Sequence, residues 1–79
     1  MNQEIIDKVK EITSRVLKDE KILDSNDYSF ENSENLDSVN RVAIITELED
    51  AFEVVFKIRE ISSWNSVFEL VDIIEKHLS

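Results

Sequence analysis

Three runs of apolar residues at helical spacing, parted by one long stretch without any period, set the limits on how this chain can fold. In the first run Ile5, Val9, Ile12 and Val16 recur every three or four positions, with Ile6 and Leu17 widening the stripe, which predicts a helix over residues 2–17. A second helix is predicted over residues 38–53, with Val42, Ile45, Leu48 and Phe52 facing inward and Ile44 on the flank. A third runs to Leu78 on the stripe Val67, Leu70, Val71, Ile74 and Leu78. Asn65 or Ser66 would cap it, and Ser66 with Glu69 has the spacing of a capping box. Between the last two, Val55, Phe56, Ile58 and Ile61 lack a long period and suit an extended piece followed by one helical turn, while Trp64 is assigned to the core. Glycine and proline are both absent, so the left-handed positions that end helices should fall to Asn or Asp.

These elements place the chain in the all-α class, as a single domain over residues 1–79 with three main helices and a short one around one core. The stretch 18–37 is too long to be an idle connection in so small a domain. Polar residues dominate it, among them Asp24, Ser25, Asn26, Asp27, Asn32 and Asn35. Ile22, Leu23, Tyr28, Phe30 and Leu36 supply apolar anchors, so it is expected to cross the bundle as a packed segment.

With 18 acidic and 9 basic residues the formal net charge is −9, which argues against nucleic acid and anionic membranes and for basic protein surfaces as partners. The absence of Cys excludes disulfides, thiolate metal sites and a cysteine nucleophile. The single histidine, His77, is expected to be solvated, and no carboxylate spacing makes an EF-hand or zincin site. Nothing here builds an enzyme site. The N-terminus lacks the regions of a signal peptide and no apolar run reaches membrane-spanning length, so a cytoplasmic location is expected; the chain is also expected to be a monomer.

One place suits covalent chemistry performed by another protein. Asp37-Ser38 stands where the polar loop gives way to the second helix, and the first-turn N–H groups and helix dipole there would stabilise a phosphate ester on Ser38. The same two residue types are preferred helix caps, and most such pairs do nothing else. Val39 lies about 120° from Ile45 around the helix, off the core side, and so stands exposed beside Ser38. The outer face is expected to carry Asn40, Ala43, Glu47 and Asp50, with Thr46, Glu49 and Glu53 on one flank, and this acidic set beside Val39 reads as a docking surface. Arg41, one turn after Ser38, stands where its guanidinium can approach a phosphate, or else its stem covers apolar surface.

The order of elements, the long loop and the Asp-Ser pair before an acidic helix resemble the acyl carrier protein family. Phe30 matches the family's loop aromatic, Leu48-Glu49 and Phe52 match its second helix, and Ser66, Val67, Leu70 and Val71 match the start of its last. Leu36-Asp37-Ser38 and Trp64-Asn65-Ser66 are similar to D-alanyl carrier proteins, whereas Val55-Phe56-Lys57-Ile58-Arg59 is not. Asn35 stands where a Gly is usual and Glu34 where a Leu is common, and Asn40 and Ala43 stand where fatty-acid carriers often have carboxylates.

The resemblance implies an acyl-carrier-like four-helix bundle that carries acyl or aminoacyl intermediates as thioesters in fatty acid, polyketide or peptide-type biosynthesis. A phosphopantetheinyl transferase would attach 4'-phosphopantetheine from coenzyme A to Ser38, with Asp37 helping the transferase to place its metal. The missing Cys fits, since the reactive sulfur then belongs to the cofactor. Val39, Val42, Thr46, Glu49 and Asp50 would meet basic docking surfaces of the transferase and of loading and transferring enzymes. The alternative is a small acidic helical interaction module without a cofactor, in which Ser38 merely caps.

Overall fold

The computed structural model describes residues 2–31, 33 and 35–79. Helix α1 spans Gln3–Leu17, and Asn2 caps it: its Oδ1 accepts from Glu4 N at 2.8 Å and Ile5 N at 3.4 Å. Ile5, Ile6, Val9, Ile12 and Leu17 are buried as their spacing requires. Thr13 is buried with them, and its hydroxyl donates to Val9 O at 2.7 Å, so the one fully polar intrusion on this face is satisfied within the helix. Helix α2 spans Ser38–Phe52 and helix α3 spans Val67–Leu78; α1 packs against both, around one apolar cluster that includes Trp64.

The helix stops differ from expectation. The left-handed positions are Lys18 (φ 55°) and Glu53 (φ 55°), not Asn or Asp. At each, a following or cap N–H turns back onto the helix, as when Asp19 N donates to Ser14 O at 3.0 Å and Val54 N to Glu49 O at 3.2 Å. Hydrogen bonding there outweighs the unfavourable backbone. The α3 stripe also ends earlier than its spacing suggested, because Leu78 is half exposed.

The crossover is packed. After Asp19, whose Oδ1 accepts from Lys21 N at 3.1 Å, a 3₁₀ turn occupies Glu20–Asp24. Ile22 enters the core but Leu23 is half exposed, since neighbours in a 3₁₀ turn point about 120° apart and only one of the pair can face inward. Tyr28 donates its hydroxyl to Asp19 Oδ2 at 3.2 Å, and burial together with that carboxylate raises its pKa. The loop residues Asn32 and Glu34 lie outside the described residues, so the exchange of Leu for Glu34 has no structural account.

The crossover is joined to the start of α3. Val67 N donates to Tyr28 O at 3.0 Å, Phe68 N to Asp27 Oδ1 at 3.2 Å, and Glu69 N to Ser66 Oγ at 3.2 Å. The first three orphan donors of α3 are thus satisfied, two of them by the crossover. Glu69 completes a variant of the predicted capping box by accepting from Asn65 N at 2.8 Å.

Beyond α2 the chain is extended. Val54 and Phe56 face the core while Val55 (79% exposed) and Lys57 face solvent, the alternation of an extended chain, and Ile58 (89% exposed) breaks it where the next turn begins. The short fourth element is a 3₁₀ turn, Ile58–Glu60. His77 is not the solvated side chain its position suggested: Nε2 lies 2.8 Å from Glu60 Oε1 and its ring meets Phe56 edge-on at 5.5 Å. The Lys57 N–H, followed by His77, holds the Glu60 carboxyl below its usual pKa.

Candidate functional site

Helix α2 begins at Ser38, so the hydroxyl belongs to the first helical residue and is exposed. The capping is done by Asp37, in extended conformation, whose Oδ1 accepts from Asn40 N at 2.8 Å while its carbonyl accepts from Arg41 N at 2.9 Å. Among the described residues neither the Ser38 hydroxyl nor the N–H groups of Ser38 and Val39 have a protein partner. An exposed hydroxyl therefore stands at the positive end of a helix dipole beside two unpartnered donors, which is an environment for a phosphate ester.

The loop before the serine is fixed by asparagines. Asn35 Nδ2 donates to Leu17 O, the last carbonyl of α1, at 2.8 Å. Its own carbonyl accepts from Asp37 N at 3.1 Å and Asn40 Nδ2 at 2.6 Å. Asn35 has no positive φ, so the turn here does not need the glycine it replaces.

Arg41 does not lie free beside Ser38. Its guanidinium donates to Trp64 O at 2.9 Å and Asn65 Oδ1 at 3.2 Å and stacks 4.6 Å over the Trp64 ring. Trp64 in turn meets Phe30 edge-on at 5.5 Å, and Phe30 N donates to Asn65 O at 2.7 Å. Arg41 thus ties the first turn of α2 to the crossover and to the start of α3.

The helix is rotated relative to the expected frame. Ile44, Ile45 and Leu48 form the buried arc, with Arg41 and Phe52 in line, whereas Val42, expected inside, is 54% exposed. Asn40, Ala43 and Glu47, expected outward, are half-buried, and Glu47 pairs with Arg15 at 2.8 Å. The outward stripe is Ser38, Val39 (74% exposed), Val42, Thr46 and Asp50. Glu49 is half-buried and accepts from Phe56 N at 2.9 Å, so it secures the chain after α2. Sequence spacing missed this because apolar residues run almost all round α2, leaving its phase undefined. The inward series Arg41, Ile44, Ile45, Leu48, Phe52 was the signal available.

Among the described residues no group of three or more His, Asp or Glu side chains is placed to hold a metal, and no helix is long and apolar enough to cross a membrane. No curated protein and no solved structure matches the chain. The family described as "Phosphopantetheine attachment site" does, over residues 7–74, a span that holds the serine turn, the crossover, all of α2 and most of α1 and α3. The exposed hydroxyl and the unpartnered donors fit the phosphodiester end of that group, whose terminal thiol supplies the acyl-bearing chemistry when it is bound. The chain therefore belongs to the phosphopantetheine-binding carrier family, as an all-α protein, not itself catalytic, that carries intermediates on a 4'-phosphopantetheine arm.

Proposed function

We propose that Ser38 bears the arm and that residues 1–79 act as one carrier domain in the cytoplasm, as a monomer. The observation that carries this reading is the division of labour in the Asp-Ser pair: Asp37 takes the capping role and Ser38 keeps an exposed, uncommitted hydroxyl. In the modification, Ser38 Oγ bonds to the pantetheine-bearing phosphorus of coenzyme A, the bond from that phosphorus to the adenosine bisphosphate breaks, and the hydroxyl proton passes to a base. The unpartnered Ser38 and Val39 N–H groups face the charge left on the ester. Asp37 stands beside the reacting oxygen, where its carboxylate can help a transferase hold its metal.

The transferase and the loading and transferring enzymes dock on the outward stripe Val39, Val42, Thr46 and Asp50, with Glu49 contributing charge from its half-buried position. Two exposed valines flanked by carboxylates on a chain of net charge −9 fit an apolar contact rimmed by basic side chains. The cargo is acyl or aminoacyl, and the motifs at Leu36 and Trp64 favour a specialised carrier with kinship to D-alanyl carriers.

Intact mass tests the attachment. On incubation with coenzyme A and a broad-specificity phosphopantetheinyl transferase, the wild-type chain gains one phosphopantetheine. Ser38→Ala gains none while keeping its helical circular dichroism. A wild-type chain left unmodified by a transferase that modifies a control carrier would refute the assignment.

A further inference from the structure

An exposed serine at the first residue of a helix is poorly aimed unless something fixes the turn that leads into it, because helix ends fray and the first turn has few internal bonds. Here the turn is held at two points. Asn35 reaches across to Leu17 O, one of the orphan carbonyls at the end of α1, and so ties the serine loop to a different helix (2.8 Å). Its carbonyl then takes two donors, Asp37 N and Asn40 Nδ2, the latter at 2.6 Å. Asn40 N is bound by the Asp37 carboxylate, so Ser38 and Val39 sit inside a closed ring of bonds made by residues on either side.

We propose that Asn35 and Asn40 are positioning residues for the modification of Ser38, a brace of two carboxamides that fixes the direction of its hydroxyl relative to α1. The proposal rests on Ser38 being the attachment residue. Each amide is used as a donor, which a carboxylate of the same shape is not. Asn40 makes the proposal decidable. An Asp there would improve the helix N-terminus electrostatically and add to the acidic face that basic partners meet. It would also place a carboxylate against Asn35 O, where a donor is needed. Electrostatics and the brace thus predict opposite effects of one substitution.

The experiment measures initial rates of phosphopantetheine gain by intact mass, with coenzyme A and a broad-specificity transferase, over a range of carrier concentrations. Wild type is compared with Asn35→Asp, Asn40→Asp, Asn40→Ala, Asn40→Gln and Ser38→Ala, each checked for helical circular dichroism. The aspartate variants are expected to lower kcat about tenfold or more, because attack depends on aim, with KM changed by less than about twofold. Asn40→Gln, which can still donate, should recover part of the rate. Asn40→Asp at or above the wild-type kcat overturns the proposal. So does a change confined to KM, which would make Asn40 a docking residue, or a lower melting temperature with kcat intact. If an aspartate variant loses its helices, Asn40→Ala decides in its place, and a wild-type kcat there overturns the brace. Mass gain by Ser38→Ala would instead refute the attachment assignment, and it is read separately.

Discussion

Asp37 and Ser38 stand side by side at the start of α2, and local geometry makes Asp37 the cap and leaves Ser38 exposed. The helix start was legible in the sequence, since it is set by near neighbours, but not which of the two residues caps it. Arg41 was not, because its partners Trp64 and Asn65 are more than twenty residues away. Replacing Arg41 by Ala removes two charge-assisted hydrogen bonds and a cation–π contact, and urea unfolding should show a loss on the order of 1–3 kcal/mol. Arg41→Lys should recover little, lacking the planar fork that serves both acceptors. In the modified protein Arg41→Ala should leave the phosphorus resonance in place.

His77 and Glu60 pose the same problem of distant partners, and the carboxylate makes the contact depend on pH. Glu60 has its pKa lowered by the Lys57 N–H and by His77, so it binds protons less readily folded than unfolded. Its contribution is full above the ordinary carboxylate range and is lost as the pH falls through the lowered value. The stability difference between wild type and Glu60→Gln should therefore be present near neutral pH and shrink below about pH 4. A difference independent of pH would show that the charge contributes nothing.

The three helices were readable because α1 and α3 each confine their apolar residues to one side. The orientation of α2 was not, because Val39, Val42, Ile44, Ile45 and Leu48 surround it, and only packing against α1 selects which of them are covered. Helix ends were hidden for a related reason. A chain without glycine must put side-chain-bearing residues at left-handed positions, and nothing local marks Lys18 and Glu53 for that. Lys18→Gly and Glu53→Gly should each raise the urea midpoint, by up to about 1 kcal/mol in stability, since the strain relieved exceeds the entropy added to the unfolded chain. A lowered midpoint would mean that the Lys or Glu side chain makes a stabilising contact at its cap.

With twice as many acidic as basic residues, the folded chain repels itself. Added sodium chloride should raise the melting temperature by a few degrees through screening. The same salt should weaken binding to a partner with a basic docking surface, and Asp50→Lys should weaken it further while stabilising the isolated protein. Salt effects of equal sign on stability and association would exclude charge as the basis of docking.

The junction between the crossover and α3 bears on the order in which the bonds around Ser38 can form during synthesis. Tyr28, Phe30 and Asp27 find their backbone partners at residues 65–68, and Arg41 finds its own at Trp64 and Asn65. A nascent chain that has built α1 and α2 but not yet released residues 64–68 has none of these bonds, and its serine turn rests on Asn35 and Asn40 alone. Arrival of residues 64–68 thus completes the bonds that tie the start of α2 and the crossover to the rest of the fold, so this corner of the molecule is the last to close.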